Sequence, residues 1–306
     1  MRFISCNIKH LCDGSVSKKD TGLGNTLFQM ATMFAFSKTY GFTMDLRELH
    51  TYCDKLREIG YDHDETIFKN MFQIFEKEHD TLSLDYTMIN EAENKPESFD
   101  GNFLQSVIDN TSAHVKINGY MQSFLYFNTY RPELCYLFRP PREYEEVVRL
   151  DYPDLFNDDV VSISIHVRMN YANVINFNKN FFIDSVNYFK RKHKNIHLFV
   201  FSNNHNEIRG WFDNLDVLCT YVSNSDDYKD MWLMSLCRNN IISHSTFAWW
   251  GAYLNCHPEK EVLYPYDALR VWWGELYATP QAPEREYEHF LPEWKMMKGE
   301  DTMYRY

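Results

Sequence analysis

Three apolar runs in the second half of the chain each end on residues able to hold an anion. "DVVSISIHV" delivers His166 and, one step beyond, Arg168; "NIHLFVFSNN" delivers Asn203 and Asn204; "NIISHS" delivers Ser243, His244 and Ser245. A guanidinium grips a diphosphate through two parallel hydrogen bonds and stays charged at any ordinary pH. Ser245 opens the helical run "STFAWWGAYLN". It therefore stands where an N-cap belongs, with the first helical N–H groups as a second anion seat. Each residue alone has a plain structural reading: a cap, a surface ion pair, a buried histidine satisfied by a neighbour. Together, on three strand ends, they predict a nucleotide-phosphate site.

Such a site requires strands whose carboxyl ends share an edge. In "DVVSISIHV", Val161, Ile163, Ile165 and Val167 alternate with Ser162, Ser164 and His166, the period of a strand. "DYKDMWLMSLCRN" and "STFAWWGAYLN" read as helices, and "EVLYPY" as a short closing strand. Strands alternating with helices predict a doubly wound α/β domain, in which ligands bind beyond the carboxyl ends of a parallel sheet.

The first half carries a strand, "MRFISCNI", and then "TGLGNTLFQMATMFAF". The spacing predicts a helix with Asn25 as N-cap, Leu27, Met30, Ala31, Phe34 and Ala35 on one face, and Gly41 as its stop. Gly22 and Gly24 have the look of a dinucleotide loop. Leu27 stands where that loop needs a third small residue, so turn-forming glycines are the better reading. "GNFLQSVIDN" to "KINGYMQSFLYF" predicts a short helix, a strand and a turn, while Thr51 to Ser98 shows no clear pattern. Pro140 and Pro141 force extended chain. The domains are accordingly expected at 1–142 and 143–306.

Composition fits two cores: 306 residues, 44% hydrophobic and 17% aromatic, exceed what a single core usually organises. Lysines and arginines number 31 against 43 acids, and no basic stripe is present, which excludes ordinary nucleic-acid binding. The seven cysteines form no Cys-x-x-Cys pair, so reduced thiols in a cytoplasmic protein fit better than disulfides or zinc. Cys237 and Cys256 lie in apolar runs and are expected in the core. Neither a signal peptide nor an apolar stretch of the roughly 20 residues needed to span a bilayer is visible, and the chain is expected to be soluble.

Longer motifs carry a resemblance. "GLGNTLFQMA" is similar to the Gly-Leu-Gly-Asn-Gln-Met-Phe-Gln-Tyr-Ala opening of α-1,2-fucosyltransferases, and "GYMQSFLYF" to their Gly-Tyr-x-Gln-Ser-x-x-Tyr-Phe. "SIHVRMNY" resembles the His-x-Arg-Arg-x-Asp segment that they share with α-1,6 and protein O-fucosyltransferases. "DMWLMSLCRNNIISHSTFAWWGAYLN" resembles their Met-Ser-x-Cys to Trp-Trp block, and "FLPEW" their C-terminal end. The motifs follow family order over nearly the whole chain. The resemblance implies a GT-B-like α/β architecture, two Rossmann-like domains with the donor site in the interdomain cleft. It implies metal-independent, inverting transfer of L-fucose from GDP-fucose to a glycan acceptor, with no cofactor. Carried over by position, Arg168 would grip the diphosphate and act as the catalytic cation, and His166 would meet the guanine end. Ser245, Thr246 and Phe247 would line the phosphates, and Asn203 and Asn204 fall where relatives place an acid that reads guanine. Gly24, Asn25 and Gln29 would approach the sugar or acceptor from the first domain.

The chain departs from the family pattern. Met169 replaces the second arginine, Tyr171 stands in place of the aspartate, Thr26 replaces a glutamine and His244 an asparagine. Three rivals stay open on this reading: a GT-B transferase of another GDP-deoxyhexose such as GDP-rhamnose, a metal-dependent GT-A transferase suggested by Asp62 and Asp64, and a catalytically inactive binder of nucleotide or glycan. The Asp-x-Asp follows no apolar strand, and the complete Ser-Thr-Phe-x-Trp-Trp block argues against the inactive relative.

Overall fold

The computed structural model describes residues 2–9, 14, 21–63, 67–75, 85–91, 99–112, 114–169, 179–223, 226–265 and 288–297. The chain divides into two compact units, Met1–Arg139 with Tyr287–Leu291, and Pro140–Glu286 with Pro292–Tyr306. The break falls just ahead of the expected 142/143, because Pro141 already occupies the N-cap of the second unit's first helix.

In the first unit, β1 (Phe3–Asn7) leads into α1 (Leu23–Tyr40), followed by β2 (Thr43–Met44), α2 (Arg47–Glu58), α3 (Lys69–Phe75), β3 (Thr87–Asn90), α4 (Gly101–Asp109), β4 (His114–Asn118) and α5 (Arg131–Phe138). The strands form a parallel sheet in the order β2-β1-β4-β3. Fourteen of the eighteen residues of α1 are buried, so this helix is central and shows no solvent stripe. Its N-cap is Gly22, at φ 73, and not the expected Asn25. A left-handed residue at that turn favours glycine, which has no Cβ to clash. The expected stop at Gly41, φ 71, is where the helix ends.

The second unit runs α6 (Arg142–Asp151), β5 (Val161–Val167), α7 (Lys179–Lys192), β6 (Ile196–Ser202), α8 (His205–Ile208), β7 (Leu218–Tyr221), α9 (Asp227–Leu236), β8 (Asn239–Ile241), α10 (Thr246–Leu254), β9 (Val262–Pro265) and β10 (Lys295–Met297). Its six parallel strands lie in the order β10-β9-β8-β5-β6-β7. Chain order reverses between β5 and β8, the doubly wound switch point at which a crevice opens beyond the strand ends.

Both faces of β5 are buried, one apolar and one polar. Ile163, Ile165 and Val167 pack with Phe182, Val186, Leu198 and Ile208 in the core. On the other face Ser162 accepts a hydrogen bond from the Arg238 N–H at 3.0 Å, and Ser164 accepts from the Asn240 amide at 2.7 Å. Asn240 in turn accepts from Asn255 at 2.8 Å, so the buried amides satisfy one another. The helix pair α9 and α10 approaches closely at Gly251, where an added Cβ would lie 2.9 Å from the Cβ of Met234. Cys237 is buried as expected, whereas Cys256, expected in the core, is exposed beyond the end of α10.

Candidate functional site

The residues singled out from the sequence fall into two groups, one in each unit. In the second unit, all seven lie on the carboxyl edge of three adjacent strands, β8, β5 and β6. The group centres on the β5/β8 switch point. There His166 Nδ1 and Ser243 Oγ are 2.9 Å apart, and the same Oγ accepts a hydrogen bond from the Arg168 N–H at 3.3 Å. Ser243 thus ties the end of one strand to the end of the next. Its role was not assigned from sequence, although its place in "NIISHS" marked the strand end.

Burial, with the nearby Arg168 guanidinium adding to it, pushes the His166 imidazole down to about 3. His166 is therefore neutral at physiological pH and leaves the positive charge of this pair to Arg168, which is half-buried at the strand end. The ring of Phe247 lies 5.5 Å from that of His166, and Thr246 is buried at the start of α10. Ser245 takes the N-cap position in an extended conformation, φ −155 and ψ 124, but its side chain makes no capping hydrogen bond. The helix N-terminus keeps the partial positive charge that favours an anion.

Asn203 and Asn204 stand at the end of β6 with their amides engaged. Asn203 accepts from the Met169 N–H at 2.7 Å and donates to the Met169 carbonyl at 2.8 Å, extending the β5–β6 pairing by side chain. The Asn204 amide donates to Glu207. Met169 turns inward against the apolar core instead of repeating the charge of Arg168. Tyr171 lies outside the described residues, as does Asp64 of the Asp-x-Asp. Among the described residues, no group of three or more His, Cys, Asp or Glu is placed to hold a metal ion. No helix among them is long and apolar enough to cross a membrane.

In the first unit, Gly24 is buried in the first turn of α1, and Asn25 accepts a hydrogen bond from the Gln122 amide at 2.7 Å. Gln29 is fully buried. Its Nε2 donates to the Asn7 carbonyl at 2.8 Å and to the Gly119 carbonyl at 2.7 Å. Asn7 ends β1 and Gly119 follows β4, so Gln29 braces the switch point of this sheet. A neighbouring residue absent from the sequence reading is Glu91, just past β3 and 4% exposed.

Two parallel sheets, the second with its polar residues gathered at a switch point, make an α/β fold of the kind that takes a ligand beyond its strand ends. The sequence model of glycosyl transferase family 11 matches residues 142–294, half of the chain. The protein belongs to that family of fucosyltransferase-type enzymes. It is 27% identical over 299 residues to an α-1,2-colitosyltransferase of Escherichia coli, covering 85% of this chain and 98% of the relative. A shorter match, 45% identical over 58 residues and 18% of each chain, is to the O-antigen biosynthesis glycosyltransferase WbnK of Escherichia coli. Among solved structures, an Arabidopsis thaliana FUT1 mutant in complex with GDP aligns at TM-score 0.48 and 12% identity, covering 86% of this chain and 70% of that one. The fucosyltransferase NodZ from Bradyrhizobium aligns at TM-score 0.47 and 16% identity, over 82% and 91%.

Proposed function

We propose that this enzyme transfers L-fucose from GDP-fucose to a hydroxyl of a glycan acceptor in α-1,2 linkage, with inversion and without a metal. The observation that carries the reading is the β5/β8 crest, where Ser243 holds the backbone of Arg168 beside the N-terminus of α10. Negative charge grows on the departing diphosphate as the glycosidic bond breaks. A guanidinium and helix-end N–H groups stabilise that charge without being reorganised during the step. His166, neutral and held through Ser243, takes the base end of the nucleotide, and Thr246 and Phe247 flank the phosphates. Asn203 and Asn204 already engage their amides within the fold, and each offers guanine a single neutral carbonyl acceptor, so the base is read more weakly than a carboxylate would read it. The second unit is thus the nucleotide-sugar domain. The first, with Gly24, Asn25 and Gln29, is the acceptor-side domain.

GDP is expected to raise the melting temperature more than UDP, CMP or NAD, and to do so in EDTA. Equal protection by UDP, or loss of GDP protection in EDTA, refutes the GDP-specific, metal-free reading. A second donor is considered because a relative matching 85% of this chain is named for colitose. Turnover of GDP-fucose against another GDP-deoxyhexose decides between them.

A further inference from the structure

We propose that Glu91 is a positioning residue, whose buried carboxyl holds the loop 119–123 in the one shape that seats Gln122 on Asn25. The inference rests on the acceptor-side role assigned above to the first unit. Glu91 follows β3 directly, and its own N–H donates to the Asn118 carbonyl at 2.8 Å, so its backbone is fixed by the sheet. Oε2 accepts from the Met121 N–H at 2.8 Å, and Oε1 accepts from the Tyr126 hydroxyl at 3.1 Å. The Tyr126 hydroxyl accepts in turn from the Asp100 N–H at 2.7 Å, linking the carboxyl to the start of α4. One side chain thereby joins the ends of β3, the β4 loop and α4.

The loop needs that clamp because its conformation is an uncommon one. Met121 sits at φ 51, a left-handed geometry that few side chains adopt. Gly119 lies so close to Glu91 that an added Cβ would stand 2.5 Å from both the Glu91 Cβ and Oε2. Only glycine lets the chain pass over the carboxyl. Gln122, directly after Met121, is buried and its amide donates to Asn25 at 2.7 Å, while its backbone carbonyl accepts from His289 Nδ1 at 2.7 Å. Glu91 itself is too enclosed to touch a substrate, with both oxygens engaged within the fold.

Burial raises the Glu91 carboxyl to about 8, against the opposing pull of its bonds from Met121, Tyr126 and the Tyr120 backbone, and Asp100 adds to the rise. Glutamine keeps the length of the side chain and an acceptor for the Met121 N–H.

The test compares Glu91→Ala, Glu91→Gln and Gly119→Ala in the full chain. Hydrogen exchange of peptides spanning 119–127 is read beside the acceptor KM in the transfer reaction. In Glu91→Ala, exchange across 119–127 should rise at least tenfold with 161–167 unchanged, and the acceptor KM should rise about tenfold with kcat nearly kept. Gly119→Ala should show the same pattern, which keeps the proposal testable if Glu91→Ala does not fold. Glu91→Gln should stay close to wild type in both measurements. Unchanged protection in Glu91→Ala or Gly119→Ala overturns the proposal. So does a Glu91→Gln variant that keeps its protection yet loses kcat, since the carboxylate would then be acting as a base. Should the wild type turn over no GDP-sugar, the donor assignment fails, and the exchange data alone decide the role of Glu91.

Discussion

Arg168→Ala is expected to cut turnover by a factor of about 100 or more, the scale on which a transition state loses a preorganised charge donor. The geometry explains why no neighbour compensates. Met169, next in the chain, is packed against the core, and His166 is held neutral by its burial. Arg168→Lys should recover little, because an ammonium is a point charge and cannot reproduce the two-pronged contact of a guanidinium with a diphosphate. The fold should survive both changes, since Arg168 is half-buried at the strand end and its backbone remains tied to Ser243. Donor hydrolysis or transfer, measured beside thermal melting for wild type and both variants, checks the expectation. Near-normal turnover in the alanine variant would remove Arg168 from the phosphate site, and most of the proposed chemistry with it.

The largest stability effect is expected at Trp250. Its side chain is fully buried, edge-on to Trp249 at 5.2 Å and to Tyr253 at 5.1 Å. Trp249 stacks on Tyr253 at 4.7 Å and lies 5.4 Å from Trp294, so four aromatic rings fill one volume behind α10. Truncating such a residue removes its buried area and leaves a cavity that rigid neighbours cannot fill. Trp250→Ala should therefore cost about 3–5 kcal/mol of unfolding free energy. Denaturant titration followed by circular dichroism measures it. A variant with unchanged stability and a selective loss of acceptor binding would instead make Trp250 a platform for sugar.

The second unit was the more legible because its strands carry their own punctuation. Strict alternation in "DVVSISIHV" and the helix-period runs on either side of "NIISHS" place β5, α9, β8 and α10 where the structure has them. The polar face of β5 could be read as facing solvent or a ligand, and pattern alone could not show that Arg238, Asn240 and Ser243 satisfy it. Those partners lie about 75 residues away along the chain. The same limit applies to Asn203. Its type and position suggest a base reader, but its amide is taken up by the backbone of Met169. In the first unit, "TGLGNT" offered two credible helix starts, and the left-handed turn at Gly22 decided between them. Glu91 was invisible in an unpatterned stretch. Its significance comes from what covers it, and the covering residues, Met121 and Tyr126, belong to a different motif.

The return of Tyr287–Leu291 to the first unit has a consequence for the order in which the protein matures. His289 is buried there, stacked 6.0 Å from Phe28, and it closes a hydrogen bond to Gln122 across 167 residues of chain. Domains generally fold as units when they emerge from the ribosome. The first unit, synthesised first, lacks this piece until nearly all of the second has been translated. What leaves the tunnel early is a sheet with an unfilled seat beside α1. The portion of the enzyme made first is thus closed only after most of the other has been made.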